Sequence, residues 1–204
     1  MEEVISYFSR MKKKAIAQIA FEFLSIVFAV LLALGLNSYK QNADLKSESQ
    51  LLESNILDEC QANLLKLDSS IYENEIYQAY LDSLLSSDEI DGFEFNFQNK
   101  LLSSIAWNFT TSSKSFQFMN PDFLNDAAEI YENQDYYMKI SNQMFEHLGD
   151  MILQIDNTEA RTLTLTGDYY LSNLISASKE LRSNYQRFLK KHSRKEPNTN
   201  LPQK

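Results

Sequence analysis

The sequence is poor in the residues that make turns, disulfides and metal sites. Its 204 residues include 4 glycines, 3 prolines, 2 histidines and 1 cysteine. So little glycine and proline leaves few turns for a β-sandwich or barrel and favours helices. A single cysteine excludes an internal disulfide framework and a cysteine-rich zinc site. Two histidines are too few for a multi-histidine metal site.

The signatures of enzymes and of nucleic-acid-binding proteins are also missing. There is no Gly-rich phosphate loop, no G-x-S-x-G elbow and no H-E-x-x-H motif. The net charge of −9 disfavours nonspecific binding to nucleic acid. His147 lies between Glu146 and Asp150, but it has no partner motif and is interpreted as a surface residue. We therefore expect a non-enzymatic protein without cofactor or metal.

What the sequence does contain is one long apolar segment near its start. From Ile16 to Leu36 only Gln18 and Glu22 are strongly polar. Twenty-one helical residues span roughly 30 Å, the thickness of the hydrocarbon core of a bilayer. The segment predicts a transmembrane helix over 15–37, although the mean hydropathy of the whole chain is −0.37. The alternative is a cleaved signal peptide, with Ala33 and Gly35 at the cleavage site and a secreted product.

Flanking charges predict the orientation of this span. Four basic residues lie in the N-terminal segment 1–14, whereas the fifteen residues after Leu36 contain two, Lys40 and Lys46. Basic residues are retained on the cytoplasmic side. We therefore expect residues 1–14 in the cytoplasm and the main domain, 38–192, outside it.

The small and polar residues of the span share one helical face. Their spacings are 4, 3, 4, 4 and 4, and the set is Gln18, Glu22, Ser25, Ala29, Ala33 and Asn37. Small residues let helices approach closely in lipid, and polar groups seek partners there. This face, the span face, predicts packing against another membrane protein or a second copy. The alternative is that the Glu22 carboxylate reaches the headgroups and the alanines are incidental.

The pattern of the span resembles the start of a family of uncharacterised envelope proteins from Bacteroidetes-type bacteria, known only as a domain of unknown function. Their pattern reads roughly G-E-I-x-L-V-x-x-G-I-L-I-A-L-x-x-N-x-W, and Glu22, Ala33, Leu34 and Asn37 match it in register. Tyr39 stands in place of the tryptophan, and Phe21 and Ala29 replace the two glycines. The resemblance covers about residues 21–40. It implies a single span in a bacterial inner membrane and a periplasmic helical domain, with no assigned activity.

The rest of the chain predicts an all-α domain, an antiparallel helical bundle. Ile56, Cys60, Leu64, Leu67 and Ile71 form one apolar stripe, compatible with a single long helix out of the span. Further helices are predicted over 95–109, from an Asn120 cap, over 134–156 and over 168–191, with 110–115 a loop and 158–166 ambiguous. The last helix carries a heptad seam: Leu171, Leu174, Ser178, Leu181, Tyr185 and Phe188. The tail 193–204 is predicted to be disordered.

Charge is unevenly distributed along this domain. Residues 41–186 contain 8 basic and 24 acidic side chains, a net charge of −16, and the C-terminal end is basic. Its cations are candidate contacts for anionic lipid headgroups: Arg187, Lys190, Lys191, Arg194 and Lys195. The alternative is a solvated helix end whose cations complement the helix dipole.

Aromatic residues cluster in the middle of the chain. Candidates for a contact surface or ligand pocket are Phe93, Phe95, Phe97, Trp107, Phe116 and Phe118. The simpler interpretation is a core filled by large rings.

The leading hypothesis is a membrane-anchored interaction or scaffold protein, a subunit or accessory of an envelope complex. The alternative is a ligand-sensing or ligand-binding helical module.

Overall fold

The computed structural model describes residues 2–87, 90, 96–154 and 160–193, and within these ranges all regular structure is helical. Of residues 2–20 and 151–154 only the helical backbone is described. The helices are α1 (Glu2–Leu85), α2 (Ile105–Ser112), α3 (Pro121–Gln154) and α4 (Ala160–His192), with a short 3-10 helix at Lys114–Phe118. The all-α prediction is confirmed for these ranges. The chain divides into two compact units, Met1–Glu48 and Ser49–Lys204.

The core of the second unit is built from α1, α3 and α4. The predicted apolar stripe of α1 is buried, and Ile56, Cys60 and Leu67 are each 0% exposed. These side chains pack in one cluster with others from α3 and α4, including Phe123, Ile130, Tyr137, Leu174, Leu181, Tyr185 and Phe188. All six residues of the predicted α4 seam are buried, so that prediction is confirmed as well.

Contacts along the helices give their directions. Rings of Phe123 and Phe188 lie 5.5 Å apart, and those of His147 and Tyr170 lie 6.1 Å apart, so α3 and α4 run in opposite directions. Between α1 and α3, Cys60 contacts Tyr131 and Asn63 contacts Gln134, so these two helices run in the same direction. A parallel neighbour pair requires the connecting chain to return along the full length of the packed helices.

The connection between α1 and α3 makes this return. Gln98 lies beside Asn74, Ser103 beside Asn63, and Phe118 beside Ser49, so the chain passes α1 in reverse order. The helix predicted over 95–109 is therefore wrong in its first part. Residues 96–104 have no regular structure, and the helix occupies Ile105–Ser112 instead, which also replaces the first part of the predicted loop.

Two asparagines of α1 hold this returning segment in extended form. The Asn63 side chain donates to the carbonyl of Ser103 (2.7 Å) and accepts from its amide (2.9 Å). Asn74 makes the same pair with Gln98, at 3.0 and 2.8 Å. From Asn63 to Asn74 the helix rises about 16.5 Å over eleven residues. The five residues from Gln98 to Ser103 cover about the same distance only if they are extended. Each asparagine amide bonds both the N–H and the C=O of one residue in the returning segment, as a neighbouring strand would. These backbone groups therefore do not need a helix to satisfy their hydrogen bonds.

The remaining helices begin and end with identifiable caps. Asn120 Oδ1 accepts from the amides of Asp122 (2.8 Å) and Phe123 (3.4 Å), which confirms the predicted cap. From Pro121 the helix continues to Gln154, so the two helices predicted there are one. The ambiguous segment is helical from Ala160. The Arg161 guanidinium donates to the carbonyls of Leu85 and Ser87, where α1 ends.

Candidate interaction surfaces

The apolar segment of the first unit is exposed along its whole described length. The large apolar side chains from Phe21 to Leu36 are between 37% and 74% exposed. In water these eleven side chains would forfeit on the order of 10 kcal/mol or more of burial free energy. Among the described residues α1 is the one helix long and apolar enough, by length and composition, to cross a membrane. The first unit is therefore compatible with a membrane anchor.

The span face is laid out on α1 as the spacing predicts. Glu22, Ala29, Ala33 and Asn37 are exposed, and the Ser25 hydroxyl donates to the Glu22 carbonyl at 2.8 Å. This bond satisfies the serine within its own helix, so the hydroxyl does not oppose burial in lipid. The side chain of Gln18 lies outside the described residues. Packing of this face against a partner stays a prediction.

In the second unit the main polar feature is a partly buried network around Glu59. Its carboxylate accepts from the Ser103 hydroxyl (2.5 Å), the Tyr131 hydroxyl (2.6 Å) and the amide of Ala106 (3.1 Å). Burial raises the pKa of Glu59, but these hydrogen bonds outweigh it and hold the pKa below its ordinary value. The carboxylate thus caps α2, whose own N-terminal residue Ser104 makes no side-chain cap.

A second set of polar side chains continues this network into the core. Asn63 and Tyr185 are 0% exposed and Gln134 is 2% exposed. The Asn63 amide donates to Gln134 Oε1 at 3.1 Å, and the Tyr185 hydroxyl donates to the same oxygen. Gln134 Nε2 also donates to the Ser103 carbonyl at 3.2 Å. Because the amides and the hydroxyl find partners inside the protein, the network fixes register among α1, α3 and α4 instead of offering a reactive group.

The network also encloses the single cysteine. Cys60 Sγ lies 4.0 Å from the Tyr131 hydroxyl and has no solvent exposure. Burial, chiefly, raises the pKa of this thiol to about 12, and burial likewise raises the pKa of the Tyr131 hydroxyl. A thiol of this kind is protonated and unreactive at neutral pH. Cys60 and Tyr185 were predicted only as core positions of their helices, and the polar partners Glu59, Asn63, Ser103 and Gln134 were not identified from the sequence as a network. The available signal was polar side chains at core positions of the helical stripes.

The predicted aromatic residues are distributed around the core. Phe97, Trp107 and Phe116 are partly buried and pack against it. The Trp107 ring stacks on Tyr131 at 5.2 Å, and the Phe97 ring lies 4.9 Å from Phe145. Phe118 is half-buried, and Phe93 and Phe95 lie outside the described residues. Phe97, Trp107 and Phe116 therefore pack on the core without belonging to its buried interior, and the predicted pocket or contact role stays a prediction.

The basic end of α4 faces acidic residues of α3. Lys191 Nζ lies 2.6 Å from Asp126 Oδ2, and His192 Nε2 lies 2.5 Å from the same oxygen. Hydrogen bonds from Lys191 and His192 lower the pKa of Asp126. Arg187 and Lys191 line a small groove of about 160 Å³ with Asp126 and Glu129. Lys190 is exposed, and Arg194 and Lys195 lie outside the described residues.

A larger groove lies between α3 and α4. It measures about 430 Å³ and is lined by Ile140, Gln143, Met144, His147, Tyr169, Tyr170 and Asn173. The His147 ring stacks on Tyr170, and Tyr169 meets Tyr170 edge-on at 5.6 Å. Its volume falls within the range of small-molecule sites. Among the described residues no group of three or more His, Cys, Asp or Glu side chains could hold a metal ion.

Comparison with known proteins does not assign this chain to a protein class. No protein-family model, no curated protein and no solved structure matches this chain. The resemblance of residues 21–40 to the envelope protein family stays a prediction. The structure itself defines a helical protein with one segment fit to span a membrane.

Proposed function

We propose that this protein is a membrane-anchored, non-enzymatic interaction protein of the bacterial inner membrane. One observation carries the proposal: the large apolar side chains of Phe21–Leu36 are all exposed, while the second unit buries a core of its own. An exposed apolar segment of this length requires lipid or a partner. Among the described residues, the polar network does not bring together a nucleophile, a base and an oxyanion site. This favours a binding role over catalysis.

In this proposal the N-terminus is cytoplasmic and the second unit is a periplasmic helical bundle. The bundle consists of α1 residues from Ser49 onward, α3 and α4, with α1 and α3 parallel and α4 antiparallel to both. The end of α4 lies at the same end of this unit as Ser49, since Phe188 contacts Phe123 and Asn120 donates to Glu53. Arg187, Lys190 and Lys191 therefore lie at the end of this unit at which Ser49 lies, and we propose them as contacts for anionic headgroups.

The span face would bind the partner, a subunit of an envelope complex or another copy. Polar side chains such as Glu22 are favoured within a membrane where helices contact one another. Ala29 and Ala33 would allow close approach of the backbones on the same face.

The test is affinity purification of the full chain from native membranes with a triple variant, Glu22→Leu, Ala29→Leu and Ala33→Leu. The variant is more apolar than the parent, so insertion is retained and loss of copurifying protein reports the span face. A matched control changes Phe23, Val27 and Phe28 to leucine. Equal recovery of partner with all three proteins would contradict the proposal. The mass of the purified chain separately distinguishes an anchored protein from one secreted after cleavage near Gly35.

A second candidate function is ligand binding, favoured by the groove between α3 and α4. Its stacked His147 and Tyr170 rings could accept a small planar molecule, with Gln143 and Asn173 as hydrogen-bonding amides. A thermal-shift screen tests this function. A hit that depends on the groove must disappear in Tyr170→Ala and persist in Tyr136→Ala, which removes an exposed tyrosine elsewhere on α3.

A further inference from the structure

The outer face of α1 in the second unit carries an exposed, mainly apolar seam, in which the Ser69 hydroxyl donates to the Glu73 carboxylate of the same helix at 2.7 Å. Six exposed residues follow one another at spacings of 3, 4, 3, 4 and 3, and they form the α1 seam: Ala62, Leu65, Ser69, Tyr72, Ile76 and Ala79. Leu65, Tyr72 and Ile76 are 61%, 67% and 56% exposed. A surface helix of a globular protein is normally polar on its outer face. Because the inner face of α1 already packs on α3 and α4, the outer face requires a different partner.

We propose that the α1 seam pairs with the same seam of a second copy of this chain, in a parallel two-helix contact. This inference rests on the proposed function, because anchored copies insert in the same orientation. The spacing of the seam is that of a heptad, with Ala62, Ser69 and Ile76 at a positions and Leu65, Tyr72 and Ala79 at d positions. Of these, Ile76 at a and Leu65 at d are the residue types that favour two parallel strands.

Charges beside the seam are compatible with self-association. The flanking acids would repel one another between copies, but each has a cation within its own chain. Arg182 Nε lies 2.6 Å from Asp68, Lys179 Nζ lies 2.7 Å from Glu75, and Lys100 Nζ lies 3.7 Å from Glu73. Pairs at this range largely cancel the charge seen by a second copy. A seam flanked by neutralised acids fits an identical seam better than a strongly basic partner.

The area of the seam sets the strength of the contact. If pairing covers all of the exposed area of the seam, it buries about 500 Å² per copy, or about 1,000 Å² in the pair. Most of this area belongs to Tyr72, Leu65 and Ile76. That is the lower limit for a specific interface. We therefore expect a weak dimer that depends on confinement in the membrane, where a shared orientation raises the effective concentration.

Cysteine cross-linking of the full chain in native membranes tests the pairing. The buried Cys60 does not compete, so an introduced thiol is the reporter. Ser69→Cys lies in the seam, and Ser172→Cys on the exposed surface of α4 is a matched control. With a short bismaleimide, Ser69→Cys should form covalent dimers several-fold more than Ser172→Cys. Adding Tyr72→Glu to Ser69→Cys should remove the dimer, with Trp107 fluorescence showing that the fold is intact.

Equal cross-linking at both sites, or none at Ser69→Cys in a chain that stays in the membrane, would overturn the pairing. Cross-linking of Ser69→Cys to a different protein would also overturn it, and would leave the proposed function standing. Alkaline carbonate extraction of the same membranes reports the anchor independently. Release of the chain by carbonate would contradict the proposed function whatever the cross-linking shows.

Discussion

Within the polar network, we expect replacement of Asn63 to destabilise the protein most. Replacing it with alanine removes two hydrogen bonds to the Ser103 backbone, at 2.7 and 2.9 Å, one to Gln134 at 3.1 Å and a longer one to the Tyr185 hydroxyl at 3.3 Å. Each bond contributes about 1 kcal/mol net, and buried groups left without partners add a penalty of similar size. Ser103 is only half-buried, so water can recover part of its loss. We expect Asn63→Ala to lower the free energy of unfolding by about 3 kcal/mol.

The assay is unfolding of the full chain in detergent micelles, monitored by Trp107, the only tryptophan. Its ring stacks on Tyr131 beside the network, so its fluorescence reports this part of the core. A loss of about 3 kcal/mol corresponds to a melting temperature lower by roughly 6–12 °C in a domain of this size. Hydrogen exchange at the Ser103 amide should accelerate together with the destabilisation.

Two further variants bound this result. Asn55→Ala, at an exposed position of the same helix, should leave the free energy of unfolding almost unchanged. Asn74→Ala removes the equivalent pair of hydrogen bonds to Gln98. Because Asn74 does not bond to Gln134, the loss of stability should lie between those of Asn55→Ala and Asn63→Ala. If Asn63→Ala destabilises no more than Asn55→Ala, the network does not hold the returning segment and the reasoning is wrong.

Other predictions concern single groups of the second unit. The pKa of Glu59 is lower folded than unfolded, so its stabilisation is complete above the ordinary value of 4.5 and is lost as pH falls through the folded pKa. Glu59→Gln should therefore be less stable than the parent at pH 7, and denaturant titrations should converge below pH 4.5; a constant difference would refute this. Cys60, with its pKa near 12, should resist maleimide at pH 8 until the protein unfolds, whereas Ser69→Cys reacts at once. Asn120→Ala should cost about 1 kcal/mol through loss of the α3 cap, and Asn142→Ala, exposed within α3, should cost much less.

Helical character was predictable because the evidence for it is local. Scarcity of glycine and proline, the 3–4 spacing of apolar residues and the Asn120–Pro121 start each act within one or two helical turns. The stripe through Cys60 and the seam through Tyr185 were identified correctly for this reason. The break predicted within α3 was wrong because no helix-breaking residue lies between the two predicted segments, and their apolar faces join.

The segment 96–104 shows where local reasoning fails. Its Leu101 and Leu102 suit a helix, and nothing in its own composition opposes one. What decides against the helix is the pair of amides on α1, Asn63 and Asn74, which are 40 and 24 residues away from their partners Ser103 and Gln98. Side-chain amides at core positions could have been noticed as unusual, but their partners are fixed only when the segment returns along α1.

The sequence by itself determined the helices, the apolar segment that can span a membrane and the unequal charge of the domain, since these depend on composition and periodicity. Only the tertiary structure decided that α1 and α3 are parallel, that Glu59 caps a helix of another segment and that the acids beside the α1 seam are neutralised within the chain. Each of these arises from contacts between residues distant in sequence, which periodicity does not specify. The opposite faces of α1 illustrate the difference: periodicity predicted the stripe through Cys60, whereas the exposed α1 seam on the other side was recognised only from the packing.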